Sequence, residues 1–335
     1  MRAAVLYGKE DLRIEQIDEQ ALCEGEVRIA IKAALTCGTD LKVYRRGYHA
    51  RMIVPPAVFG HELSGTICEV GRGVTNWALG DRVVAANSAP CGECAFCGND
   101  QENLCDDLLF LNGAYAERIV VPTRLVAKNL LRLGDKTPFV AGALMEPLAC
   151  VVKGLEDISV RAGERVLVIG AGPIGLMFVT LAHAAGCQVT VAGRGAERLV
   201  AAQHLGASIV IDVEKEKIPE EAFDVVIEAV GKPETWEEAV RKVRKGGRVN
   251  LFGGCPAGTT ISLDTGLIHY SNLTILASFH HTPKTIRQAL QHIESGLIRA
   301  PAFVSGECAL SQLPELLRLM STGNKAIKTK ILVDQ

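Results

Sequence analysis

Four cysteines, Cys91, Cys94, Cys97 and Cys105, fall in the short stretch CGECAFCGNDQENLC at spacing C-x-x-C-x-x-C-x7-C, with no strand-length apolar run between them. Thiolates so placed form a closed tetrahedral cage, and the reading is a structural zinc site. Disulfides suit the pattern poorly. The chain opens MRAAVLYGKEDLRIEQ with no apolar signal region, and in a reducing cytosol such spacing means metal. An iron–sulfur cluster, or a cage that stays empty, is the alternative.

A second donor set is scattered: Cys37 in TCGTD, His61 and Glu62 in FGHELSG, and Glu146 in ALMEPLAC. One thiolate, one imidazole and carboxylates are the mixed ligands of a catalytic zinc, which keeps a position open for water or substrate. Taken singly, a cysteine is most often a small core residue and a histidine a satisfied structural one. Two zinc ions per chain are expected if both sets are real.

A third motif has the pattern of a phosphate-binding loop. Gly170-Ala171-Gly172-Pro173-Ile174-Gly175 directly follows the apolar run VLVI and opens a long helical stretch. In that context Gly170 permits the tight turn, Gly172 lets backbone approach a pyrophosphate, and Gly175 lets helix pack on strand. Pro173 and Ile174 complete the loop, and the pyrophosphate sits on the helix N-terminus. The bland alternative is a glycine-rich turn with no ligand. At the end of the next strand, CQVTVAGRGAERL, Gly193 stands where an NAD-binding chain usually has an acid for the ribose hydroxyls. Arg194 and Arg198 follow, and guanidinium groups suit a 2′-phosphate, so NADP(H) is expected over NAD(H). Otherwise the two arginines are solvated charges at a helix start, where cations are disfavoured.

The elements that must position these groups change character near residue 150. Before it come short β-branched runs (AAVLY, VRIAIKAAL, GTICEV, DRVVAA, AERIVVP) that read as the strands of a barrel-like unit. From Arg165 strands and helices alternate (ERVLVIG, PIGLMFVTLAHAAG, CQVTVAG, AERLVAAQHLGA, SIVIDV, DVVIEAVG, TWEEAVRKVRKGG, RVNLFGG, LTILAS), which is the pattern of a doubly wound parallel sheet. Helices at TIRQALQHIESG and QLPELLRLMSTG, with FVSGECAL between and TKILVD after, close the chain. The fold class is α/β, and 335 residues suit two domains. Lys+Arg of 36 against Asp+Glu of 38 advertises no nucleic-acid or anionic-membrane partner. No apolar run reaches membrane-spanning length, so a soluble, cytoplasmic protein is expected.

Taken together, CGTD, GHELSGTICEVGRGVTNWALGDRV, the four-cysteine lobe, GAYAERIVVP, MEPLAC and GAGPIG resemble the zinc-dependent medium-chain alcohol dehydrogenase superfamily, in order and over essentially the whole chain. MEPLAC is most similar to the sorbitol and threonine dehydrogenase branch. The resemblance implies a GroES-like catalytic domain over 1–147, with the structural zinc lobe at 88–108, a Rossmann domain over 148–283, and a 284–335 segment that completes the catalytic domain. It also implies that Cys37, His61 and either Glu62 or Glu146 bind the catalytic zinc. Thr39 would begin a proton relay, Asp40 would orient the zinc histidine, and Lys328 in GNKAIKTK would lie near the cofactor pyrophosphate unless it is merely solvated. One departure is Lys42, where some relatives carry a relay histidine.

The implied chemistry is hydride transfer between NADP(H) and an alcohol or ketone, with zinc as Lewis acid. The segment Tyr44 to Arg51 lies between the zinc cysteine and histidine. Tyr44, Arg46 and His49 offer donors for a polyhydroxylated substrate, a solvated loop being the alternative. A polyol, sugar alcohol or other secondary alcohol leads, ahead of a 3-hydroxy amino acid of the threonine type used with NAD. A catalytically inactive nucleotide-binding protein is the reading of another class. The resemblance further implies a homo-oligomer, tetramer or dimer, with LTILASF suited to a subunit contact.

Overall fold

The computed structural model describes residues 1–49, 52–220, 222–323 and 326–334. The chain divides into two compact units, Met1–Ala149 joined by His281–Gln335, and Cys150–His280.

In the first unit the strand Val27–Leu35, VRIAIKAAL, is the hub. It pairs antiparallel with Glu62–Val70, with Arg118–Val121 and with the late strand Thr329–Leu332. Arg82–Ala85 and Leu130–Arg132 extend the sheet on one side, and Gly306–Ala309 closes the other beyond Thr329–Leu332. The chain's last segment therefore belongs to a sheet begun three hundred residues earlier, with Lys330 opposite Leu35. Alternation drives this pairing: Ile29, Leu63, Ile67 and Ile331 face one apolar core with Phe59 and Tyr115, all at most 2% exposed. Three further strands, Arg2–Gly8, Asp11–Gln16 and Ala57–Val58, make a separate small sheet.

The second unit holds six strands, all parallel. Their order is Ile209–Asp212, Gln188–Gly193, Arg165–Ile169, Phe223–Glu228, Val243–Leu251 and Thr274–Leu276. The first strand in sequence lies mid-sheet, so the order reverses beside it and leaves a crevice at the carboxyl ends of the strands. Val166, Leu167 and Val168 are fully buried, as expected for a parallel strand covered on both faces.

Two local expectations change. The stretch TWEEAVRKVRKGG is a helix only through Lys242, because Val243 already pairs with Phe223 and begins a strand that runs to Leu251. The Lys242 amine is buried there, donating to the Ile218 carbonyl at 3.0 Å and pairing with Glu220. Helices over Gly38–Arg46 and Met145–Ile158, which periodicity did not announce, carry site residues. Among the described residues no helix is long and apolar enough to cross a membrane.

Candidate active site

Cys37 lies two residues after the strand Val27–Leu35 and caps the N-terminus of the helix Gly38–Arg46. Its Sγ accepts from the Thr39 N–H at 3.4 Å, while the Asp40 carboxylate accepts from the Cys37 N–H at 3.1 Å. The two bonds cap the helix reciprocally and hold the sulfur at its N-terminus. Gly47, at φ 88°, stops the helix.

Asp40 does more than cap. Its Oδ1 lies 2.9 Å from His61 Nδ1, and both side chains are buried. The carboxylate fixes the ring proton on Nδ1 and leaves the Nε2 lone pair for a metal. Burial opposes charge on His61, but Asp40 and Cys37 outweigh it and raise its pKa well above the usual value, so a metal binding at Nε2 must displace a proton. The Tyr115 hydroxyl donates to Asp40 Oδ2 and lies 3.0 Å from the Leu35 carbonyl. Burial and the Asp40 charge push the Tyr115 pKa up, so the phenol stays a donor. Gly60 sits at φ 89°, and a Cβ there would lie 2.6 Å from the Tyr115 ring. Only glycine lets the chain before His61 approach that ring so closely.

Donor atoms of Cys37, His61 and Glu62 all lie within 4.8 Å of one another. A thiolate, an imidazole with its second nitrogen engaged, and a carboxylate fit a zinc ion in both chemistry and number. Glu62 is fully buried, and both its oxygens are 2.6 Å from Lys328 Nζ, which also donates to the Thr36 carbonyl at 2.9 Å. Burial raises the Glu62 carboxyl to about 7 against the pull of Lys328 and His61. Lys328 stays above the usual lysine range, since the Glu62 and Cys37 charges outweigh its burial. Lys328 is not solvated: the strand Thr329–Leu332 that follows it draws it into a buried position beside Glu62.

Glu146, in the first turn of the helix Met145–Ile158, is buried close enough for its charge to raise the Glu62 and Lys328 pKa values. It is not part of the cluster formed by Cys37, His61 and Glu62. Its Oε1 is 3.9 Å from His281 Nε2, and that nitrogen lies 2.8 Å from Asn87 Oδ1. Tyr115 and Asn87 were not anticipated. Tyr115 lies in the quoted run GAYAERIVVP, but nothing in spacing ties it to Asp40.

The four-cysteine lobe is a second cluster within the same distance limit. Sulfur separations are 3.4 Å for Cys91–Cys105, 3.6 Å for Cys94–Cys97 and 3.9 Å for Cys91–Cys97. Bonds of about 2.3 Å to a central zinc would place sulfurs about 3.8 Å apart, so the cage has the right size. Backbone N–H groups of Cys97 and Asp106 bring the Cys94 thiol down to about 6, whereas burial pushes Cys97 up to about 12. Ionising all four thiols together calls for a cation.

In the second unit the loop Gly170 to Gly175 meets its expected demands. A Cβ on Gly175 would lie 1.8 Å from the Gly170 carbonyl oxygen, while one on Gly172 would meet nothing within 4 Å. Helix packing therefore requires one glycine, and the other faces open space at the N-terminus of the helix Pro173–Ala184. Pro173 takes the first helical position, where its missing N–H costs nothing, and Ile174 follows it. A Cβ on Gly193 would lie 2.7 Å from that of Ala171, so this strand end packs on the loop and carries no carboxylate. Arg194 is exposed and only 3.9 Å from Glu214; Arg198 is half-buried in the first turn of the helix Ala196–His204.

The expected substrate residues lie in different surroundings. Tyr44 packs in the apolar core, and its charged neighbours are Glu10, Arg318 and Glu315. Arg46 is exposed in the last helical turn, and His49 Nδ1 accepts from the Met52 N–H at 3.1 Å. Arg51 lies outside the described residues. Thr39 is half-buried beside Cys37.

A β-rich unit with a thiolate, imidazole and carboxylate cluster, followed by a parallel dinucleotide sheet, defines a metal-dependent nicotinamide oxidoreductase. Residues 23–132 match the profile of the alcohol dehydrogenase GroES-like domain, and 173–295 that of the zinc-binding dehydrogenases. An L-threonine 3-dehydrogenase of Bacillus velezensis is 32% identical over 92% of this chain and 92% of its own. A sorbitol dehydrogenase of Bacillus subtilis is 28% identical over 99% and 97%. The solved structure of a zinc-binding dehydrogenase from Sinorhizobium meliloti, bound to NADP, superposes with TM-score 0.90 at 27% identity over 98% of each chain. The chain belongs to the zinc-dependent medium-chain alcohol dehydrogenases, in the sorbitol and threonine dehydrogenase-like branch, oxidoreductases acting on CH–OH groups.

Proposed function

We propose that the chain transfers a hydride between NADP(H) and a polyol, sugar alcohol or related secondary alcohol or its ketone. The observation that carries this is the convergence of Cys37, His61 and Glu62 on one point, braced by Asp40. When bound there, by Cys37, His61 and Glu62 or Glu146, zinc supplies Lewis acidity toward the substrate oxygen. A second zinc would hold the four-cysteine lobe. Asp40 keeps the His61 ring in one tautomer and orientation. Thr39, in the first turn after Cys37, is placed to accept and pass on the substrate hydroxyl proton. Lys328, buried against Glu62, supplies a counter-charge at the cluster.

Met1–Ala149 with the tail serves as the GroES-like catalytic domain and Cys150–His280 as the cofactor domain in this reading. NADP(H) is favoured because Gly193 presents no carboxylate and Arg194 and Arg198 follow it. NADP in the Sinorhizobium meliloti relative is consistent with that choice. A cytoplasmic homo-oligomer completes the reading. The second reading, oxidation of a 3-hydroxy amino acid with NAD, is favoured by the 32% identity to a threonine 3-dehydrogenase.

The test is a screen of polyols, cyclitols, sugar phosphates and hydroxy amino acids with NADP⁺ and NAD⁺, read by nicotinamide absorbance and paired with a zinc count. Turnover of polyols with NADP⁺ supports the first reading, and turnover of threonine with NAD⁺ the second. No turnover by a zinc-loaded protein would favour the inactive nucleotide binder.

A further inference from the structure

Apart from the metal cluster, the first unit contains a cavity of about 780 Å³. Residues 136–141, the end of the helix Pro283–Glu294 with the turn after it, and the edge strand Gly306–Ala309 surround it. None of its lining residues belongs to any of the three cysteine-containing clusters found among the described residues. Its volume falls within the range of about 300–1,000 Å³ usual for small-molecule sites. Val140, Ala141, Ile293, Ile298, Ala300 and Val304 give it an apolar wall.

Charge at the rim is lopsided. Both acids of the lining are engaged: Glu294 Oε1 accepts from the Gly134 N–H at 2.9 Å, and Glu307 pairs with Lys330 at 3.0 Å. Lys136 and Arg299 have no carboxylate partner among the described residues, and both are exposed. Arg299 Nε donates to the Gly296 carbonyl at 3.2 Å, which holds the side chain at the rim and leaves its terminal nitrogens available. An apolar wall beneath two uncommitted cations complements a ligand with an aliphatic body and one anionic end.

We propose that this cavity binds an amphipathic anion, a medium-length aliphatic chain ending in a carboxylate. Calorimetric titration of the zinc-loaded full-length protein with decanoate, and with decanol as the uncharged match, tests it. The expected result is saturable binding of one decanoate per chain, with decanol at least about tenfold weaker because it forgoes the charge-assisted bonds. Lys136→Glu with Arg299→Glu should weaken decanoate at least about tenfold, and these exposed positions leave the fold intact. Val304→Trp should block the cavity, and Cys37→Ser should leave binding unchanged. Equal affinity for decanol, or charge reversal without effect, would overturn the proposal. So would loss of binding in Cys37→Ser. A changed oligomeric state on charge reversal with unaltered decanoate affinity would assign the cavity to a second copy of the chain instead.

Discussion

The ammonium of Lys328 lies 2.6 Å from each carboxylate oxygen of Glu62, 266 residues away in sequence, and neither side chain reaches solvent. The strand that follows Lys328 pairs with the strand that ends before Cys37, so the tail of the chain delivers a counter-charge to the metal cluster. A buried pair of this kind contributes little net stability, but removing one partner strands the other.

Lys328→Met should therefore destabilise the protein by about 3–5 kcal/mol, because Glu62 would remain buried and uncompensated. Adding Glu62→Gln should recover much of that loss. Denaturant midpoints of the two single variants and the double variant measure the coupling, and strict additivity would deny it.

Asp40→Asn should lower zinc affinity at the Cys37 cluster by about 10–100-fold, since His61 loses the carboxylate that sets its tautomer and basicity. Tyr115→Phe removes one donor to Asp40 and should cost about 1 kcal/mol of stability. Competition with a coloured chelator reads the first effect, and thermal unfolding the second.

The two cysteine sites should fail differently. Cys37→Ser should abolish turnover and release one zinc with the fold intact, whereas Cys94→Ser should lower the melting temperature and leave the cluster of Cys37 loaded. Full activity in Cys37→Ser would remove the assigned centre.

Replacing both Arg194 and Arg198 with Ala should reduce kcat/KM for NADP⁺ by about 10–100-fold and leave that for NAD⁺ little changed, the size expected for losing charge-assisted bonds to a phosphate. An equal fall with both cofactors would place the arginines elsewhere in binding.

Glu228, at the end of the strand Phe223–Glu228, is wholly buried with Oε1 accepting from Val230, Gly231 and Thr235. Burial raises its pKa above the ordinary carboxyl value, despite those hydrogen bonds. The folded chain thus holds this proton more tightly than the unfolded chain, so stability is greatest below about pH 4.5 as far as this group is concerned. It falls as pH rises through the raised folded value. Glu228→Gln should lack that fall, and denaturation curves across weakly acidic to neutral pH will compare the slopes.

Much of this was readable before any coordinates. VRIAIKAAL becomes a strand of those same residues, and GAGPIG opens the helix Pro173–Ala184, because strand alternation and glycine's steric freedom act over a few residues. Helix propensity misled at TWEEAVRKVRKGG, where sheet pairing at Val243 overrode the local preference of the charged stretch. Tyr44 offered a hydroxyl on paper, yet one face of a short helix turned it into the core.

The amino-acid order alone determined which donors exist, the four-cysteine spacing and the strand–loop–helix of the second unit, since each is a matter of neighbours along the chain. The resemblance read from the sequence already implied that Asp40 orients His61; only the tertiary structure decided that Tyr115 steadies Asp40 and that Lys328 faces Glu62 rather than solvent. Those relationships join residues tens to hundreds apart in sequence, and long-range sheet pairing, which no local pattern encodes, is what brings them within a hydrogen bond of one another.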